Sequence, residues 1–96
     1  MRCAYVVSYD ISDPKRLRQV FKTMLGWGEH LQLSVFRCEL SRRDRVRMSA
    51  SLDKLIHHGE DQVLIVNLGP VPGRAERAID AIGRAYAPRA RTALVV

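Results

Sequence analysis

Apolar residues recur along this chain with two alternating periods, and the switches between them mark out six elements. Cys3 to Tyr9 (Cys-Ala-Tyr-Val-Val-Ser-Tyr) is β-branched and aromatic, which predicts a strand. Asp10-Ile11-Ser12 is a turn. Asp13-Pro14 then opens a helix, with Asp as N-cap and Pro at the first helical position. Leu17, Val20, Phe21 and Met24 form its apolar stripe, and Lys15, Arg18 and Lys22 line another face. Gly26-Trp27-Gly28 stops it. From His30 to Leu40 the period drops to two: Ser34, Phe36, Cys38 and Leu40 alternate with Val35, Arg37 and Glu39. A kink or tight turn within Leu31 to Ser34 divides this stretch into two strands. Ser41-Arg42-Arg43-Asp44 is a capping box in acidic form, opening a helix with Met48, Leu52, Leu55 and Ile56 on its apolar side and His57-His58-Gly59 at its end. Val63 to Leu68 is a fourth strand. The order strand, helix, strand, strand, helix, strand predicts an α+β, ferredoxin-like βαββαβ sandwich.

Gly69-Pro70-Val71-Pro72-Gly73 breaks the pattern. It separates a ferredoxin-like core (1–68) from a C-terminal extension (69–96) within one domain. Ala75, Ile79, Ile82 and Tyr86 have helical spacing, yet Ala78 to Ile82 also reads as a short strand. Thr92 to Val96 is an extra, apolar terminal strand.

Both helices of such a sandwich cover one sheet face, so the other face should be wet and cleanly alternating. Val63-Leu64-Ile65-Val66 and Val6-Val7 are apolar on both faces instead. The expected cover is a second copy of the sheet, packed about a two-fold axis as a homodimer. A terminal apolar strand needs an edge to pair with. Thr92 to Val96 is therefore expected to reach the partner subunit, the alternative being pairing within its own chain.

Ninety-six residues bury only about 60–65% of their unfolded surface, which also favours a partner. No apolar run approaches the ~18 residues of a membrane span, and the start of the chain carries no signal-peptide pattern; a cytoplasmic location without membrane association is the expectation. The two cysteines, Cys3 and Cys38, lack zinc spacing and read as reduced packing residues. Sixteen Lys and Arg against ten acids give a net charge of +6, which points to a polyanion partner or to a solubilising surface. Thirteen of the sixteen are arginine, whose fork suits phosphate.

Asp10 is the most chemical residue in the pattern. A carboxylate ending the first strand stands at the mouth of the sheet, where hard cations find oxygen ligands. One Asp makes a poor site alone, and a two-fold axis would bring a second Asp10 near it. The plainer reading is an Asx-turn residue. Asp13 is accounted for by helix capping. Ser34 and Phe36 share a strand face, where Ser34 could bond a ligand and Phe36 is core or dimer interface. His57 and His58 are adjacent and should face solvent. Lys15, Arg16, Arg18 and Lys22 on the first helix and Arg42, Arg43, Arg45 and Arg47 on the second make solvated faces or, in a dimer, a track for a phosphate backbone. No Ser/His/Asp triad, zinc pattern or glycine-rich phosphate loop is present.

Tyr9-Asp10-Ile11-Ser12-Asp13-Pro14-Lys15-Arg16-Leu17-Arg18, followed by Gly28, Gln32 and Ser34-Val35-Phe36-Arg37-Cys38-Glu39-Leu40, resembles the CRISPR-associated Cas-two family over nearly the whole chain. The resemblance implies a ferredoxin-like homodimer, Mg²⁺- or Mn²⁺-dependent endonuclease activity on RNA or DNA, and a place in the spacer-integration complex, bridging the CRISPR integrase. It puts the metal-binding, catalytic aspartate on Asp10, basic positions on Arg16 and Arg18, and supporting residues on Tyr9, Ser34 and Phe36. His30 stands where many relatives carry Arg, which would weaken phosphate contact. The resemblance also favours a strand at Ala78 to Ile82. Two functions follow: a metal-dependent nuclease of antiviral defence, or a non-catalytic dimeric scaffold that holds DNA and the integrase. A small-molecule regulatory domain fits the charge less well.

Overall fold

β-branched and aromatic residues hold the first strand extended, and both of its edges find partners. The computed structural model describes residues 1–86. In it β1 (Arg2–Asp10) lies between β3 (Val35–Ser41) and β4 (Gln62–Val71), antiparallel to both; β2 (Glu29–Gln32) pairs beyond β3, giving the order β2-β3-β1-β4. Helices α1 (Pro14–Leu25) and α2 (Arg42–Leu55) are the crossovers. This is the ferredoxin-like α+β arrangement that the order of elements predicts.

Tyr5, Val7 and Tyr9 of β1 face the helices together with Phe36, Cys38 and Leu40 of β3. Val20 and Met24 of α1 and Met48 and Leu52 of α2 close over them. Phe36 is therefore core, and Cys38 is a buried free thiol whose pKa burial pushes up to about 12. Val63 and Ile65 of β4 pack on the same core, while Leu64 and Val66 point the other way and are 54% and 52% exposed. The doubly apolar β4 thus leaves an apolar strip on the helix-free face.

The helix signals hold. Asp13 accepts from the Arg16 amide at 2.9 Å, and Ser41 accepts from the Asp44 amide at 3.1 Å. Leu17 departs from the predicted stripe and is exposed. The turn it occupies is held by polar pairing of Arg16 rather than by burial.

Three further expectations change. Ser34 is in the Leu33–Ser34 turn of the β2–β3 hairpin, not on a strand face. Leu33 takes a positive φ of 28° there, a costly conformation for a branched residue, and the turn is tied by bonds to its carbonyl groups. His30 Nε2 donates to the Leu33 carbonyl at 2.8 Å, and the Tyr9 amide donates to the Ser34 carbonyl at 3.1 Å. Second, β4 does not stop at Leu68. A bulge at Leu68 (Tyr5 opposite Asn67, Ala4 opposite Gly69) lets pairing resume through Val71. Third, Ala78 to Ile82 is neither strand nor helix. A short 3-10 turn, Arg74–Arg77, buries Ala75, and irregular chain then carries Tyr86 to within 3.4 Å of Glu29 on β2. The strand expected at Thr92 to Val96 lies outside the described residues. No described helix is long and apolar enough to cross a membrane.

Gly28 shows why α1 must end where it does. A Cβ there would lie 2.4 Å from the Arg37 carbonyl oxygen and 2.5 Å from Cys38 Sγ, so only glycine lets the chain pass this close to β3. Gly28→Ala should destabilise the fold by about 1–3 kcal/mol or more. Thermal unfolding checks it, at ~4–8 °C of Tm for each kcal/mol in a domain this size; an unchanged Tm would contradict the close packing.

Candidate functional site

β1 ends on Asp10, whose register partner is Gln62, the first residue of β4. Strand alternation sends Tyr9 to the core and Asp10 to the helix-free face. Tyr9 is buried, its ring stacked on Phe36 at 6.2 Å, and burial raises its hydroxyl pKa. Asp10 is exposed, and no described side chain pairs with its carboxylate. The Ser34 backbone reaches the same end of the sheet through the Tyr9 amide, so Tyr9, Asp10 and Ser34 do come together.

The loop after Asp10 is fixed by a residue that no motif marks. Asp61, on the turn before β4, has a side chain with no exposure to solvent. Its carboxylate accepts from Arg16 Nε at 2.8 Å and Nη2 at 3.2 Å, from the Ser12 amide at 2.9 Å and from the His57 amide at 2.8 Å. Ser12 Oγ donates to the Glu60 carbonyl at 2.8 Å, and Arg16 Nη2 also reaches Glu60 Oε1 at 3.1 Å. The Arg16 bond is the main reason the Asp61 pKa is held well below the usual carboxylate range; desolvation opposes it, and the His57 and Ser12 amides add to the lowering. Only the folded chain brings these groups together, 45 and 49 residues apart.

The basic residues therefore separate into two kinds. Arg16 is engaged by two acids, and Arg45 lies over the Tyr5 ring, 5.7 Å from its centroid, and bonds Ser49. Lys15, Arg18, Lys22, Arg42 and Arg43 are exposed, and no described acid pairs with them. α1 starts at the Asp10 end of the sheet. Arg42 and Arg43 follow Ser41, which pairs with Arg2 at the far end, roughly 25–30 Å away by strand rise. These cations are spread from one end of the sheet to the other and do not converge on Asp10. His30 is not in this set. Its ring lies 5.1 Å from Phe21 and 5.0 Å from Phe36, on the core side of β2. His57 and His58 are exposed as expected, with His58 3.0 Å from Asp53.

The donor set for a divalent ion is small. No three His, Cys, Asp or Glu side chains come together among the described residues, and Glu60 and Asp61 are turned to Arg16. Among the described acids at this end of the sheet, Asp10 is the one whose carboxylate no described group engages. That suits a Mg²⁺-type ion, which keeps several waters and takes one or two carboxylates plus substrate phosphate oxygens.

An antiparallel sheet ordered β2-β3-β1-β4, with a free carboxylate where its central strand ends, defines a ferredoxin-like domain with an open site at one end. The family model for CRISPR associated protein Cas2 matches residues 1–71. A Rhodospirillum rubrum protein named CRISPR-associated endoribonuclease Cas2 1 is 46% identical over 93 residues, covering 97% of this chain and 90% of its own. A Geobacter sulfurreducens protein named CRISPR-associated endoribonuclease Cas2 is 43% identical over 96 residues, covering all of both chains. Among solved structures, Streptococcus pyogenes Cas2 superposes with a TM-score of 0.69 at 27% identity, covering 83% of this chain and 99% of that one. A hypothetical protein from Thermus thermophilus superposes with a TM-score of 0.77 at 29% identity, covering 93% and 100%. The chain belongs to the CRISPR-associated protein Cas2 family.

A carboxylate whose pKa is lower in the folded than in the unfolded chain stabilises the fold above the unfolded value of about 3.9, and that contribution is lost as pH falls. Asp61→Asn should melt below the wild type at pH 7, and the gap should narrow as the pH is taken from about 5 to 2. Melts across that range check this; a gap that stays constant would mean that the Asp61 charge contributes nothing.

Proposed function

We propose that the protein is a Mg²⁺- or Mn²⁺-dependent endonuclease acting on RNA or DNA phosphodiesters as a homodimer, within the complex that acquires CRISPR spacers. The observation that carries it is Asp10: an exposed, unpaired carboxylate on a rigid strand end, beside a helix that offers Lys15, Arg18 and Lys22 as unpaired cations. The relatives' names support the nuclease class. The apolar strip of Leu64 and Val66 supports the dimer, because it lies on the sheet face that also carries Asp10. Packing two such faces about a two-fold axis brings two Asp10 carboxylates toward each other.

The chemistry a bound divalent ion supplies is charge neutralisation at the phosphodiester and a lower pKa for an attacking water. The chain's own part is to present Asp10 at the end of a paired strand and to hold the phosphate backbone. Lys15, Arg18 and Lys22 run from the Asp10 end along α1, and Arg42 and Arg43 continue the positive path at the far end. Tyr9 and Phe36 keep the strand end packed from beneath, and the Ser34 carbonyl fixes the Tyr9 amide. Arg16, already ion-paired, contributes to the loop and not to the path.

A second reading is a non-catalytic scaffold that holds duplex DNA and bridges the CRISPR integrase. It is favoured by the spread of Arg42 and Arg43 away from Asp10, which suits holding a backbone better than cutting it.

Asp10→Asn keeps the size and removes the charge. It should abolish metal-dependent cleavage by the purified protein and leave metal-free nucleic-acid binding intact. Asp13→Asn, which remains a good N-cap, should keep both. Cleavage assays at matched Mg²⁺ decide. If Asp10→Asn cuts as well as wild type, the nuclease reading fails and the scaffold reading stands.

The dimer has its own check. Leu64→Glu places a charge on the helix-free face, where one chain has no need of an apolar side chain. Light scattering should give twice 10.9 kDa for the wild type and a monomer for the variant at micromolar concentration. A monomeric wild type would remove the homodimer.

A further inference from the structure

We infer that Asp61 and Arg16 form a positioning clasp for Asp10, and that Arg16 serves this clasp rather than binding phosphate. Four donors converge on one solvent-excluded carboxylate, and they come from three segments: the loop after β1, the first turn of α1 and the turn that follows α2. Ser12 is two residues beyond Asp10, and Gln62, next to Asp61, is the register partner of Asp10. The clasp thus holds the chain on both sides of the Asp10 pair, from the loop that follows it and from the strand beside it. Glu60 closes the assembly by accepting from Ser12 Oγ through its carbonyl and from Arg16 through its side chain.

The position of Arg16 argues for this role on chemical grounds. A guanidinium is a planar fork, and here Nε and Nη2 are both spent on Asp61, with Nη2 shared by Glu60. Releasing it to a phosphate would leave the Asp61 carboxylate buried without its counter-ion, which is costly. Arg18, two residues on, is exposed, and no described acid pairs with it, so it can meet a phosphate without that cost.

For catalysis the proposal rests on the Asp10 reading above, but the clasp has a signature of its own. Five full-length proteins are compared: wild type, Asp61→Asn, Arg16→Lys, Arg16→Gln and Arg18→Ala. Arg16→Lys keeps the charge and loses the fork, so it serves where Asp61→Asn folds poorly. Amide hydrogen exchange should show Ser12 and His57 losing protection in Asp61→Asn, with the Ser12 and Asp10 amide resonances moved in both clasp variants. Metal-free binding to single-stranded RNA should keep its slope of log affinity against log salt in Asp61→Asn and Arg16→Lys. An Arg16→Gln control should also keep the slope, while Arg18→Ala flattens it by about one unit. On cleavage, the clasp variants should lose about 10–100-fold in kcat, as partners behind a ligand do, at unchanged KM. A flattened slope in Arg16→Gln overturns the proposal by making Arg16 a phosphate contact. Unchanged Ser12 exchange and resonances in both clasp variants overturn it by leaving the loop independent of the clasp. A wild type that neither cuts RNA nor binds Mn²⁺ removes the nuclease reading alone, and the exchange and salt results then decide the clasp.

Discussion

The two-residue period of β1 is the constraint on which everything else hangs. A strand has two faces, and one step in register exchanges them for every residue. Tyr5, Val7 and Tyr9 must meet α1 and α2, because no other face can bury them against helices. Val6, Ser8 and Asp10 are thereby committed to the other side. Asp10 is exposed for the same reason that Tyr9 is buried. β3 and β4 inherit this parity through their pairing with β1, so Phe36 falls in the core and Leu64 and Val66 fall outside it. The bulge at Leu68 exchanges the parity of β4 only beyond the stretch that faces the core.

A fold built this way is held well along its strands and less well at their ends, where chain reversals leave polar backbone unpaired. Specific acceptors take up that task here. Asp61 collects the amides of Ser12 and His57, and the carbonyl groups of Leu33 and Ser34 collect His30 and the Tyr9 amide. Both sets lie at the Asp10 end of the sheet. The end that presents the exposed carboxylate is thus the end fixed by specific hydrogen bonds, an arrangement suited to a group that must stay in place while surrounded by water.

The positive charge of the chain divides along the same lines. Some of it is structural: Arg16 with Asp61 and Glu60, Arg37 with Glu39 at 2.8 Å, and Arg45 over Tyr5. Lys15, Arg18 and Lys22 on α1 and Arg42 and Arg43 at the start of α2 stand clear of the described acids, whereas Arg47 lies 3.9 Å from Asp44. Net charge measures the sum, and a count of arginines does not say which of them can meet a phosphate.

Local chemistry accounts for what the sequence determined by itself. Caps at Asp13 and Ser41, the stop at Gly26, and the alternation of β1 and β3 each depend on residues a few positions apart, so the elements and their order were legible. So was Asp10, because a carboxylate at a strand end next to a capped helix is a local pattern, and so was the apolar excess on β4. Tertiary structure alone decided which cations are free, because Arg16 and Arg18 look alike in sequence and differ only in what stands 45 residues away. It also drew His30 among Phe21 and Phe36, moved Ser34 from a strand face into a turn, and carried β4 past Leu68 by a bulge. Asp61 is the clearest case. Nothing near it marks a lone acid before a strand. Its importance comes from burial and from four donors on three segments, which exist together only after the chain has folded.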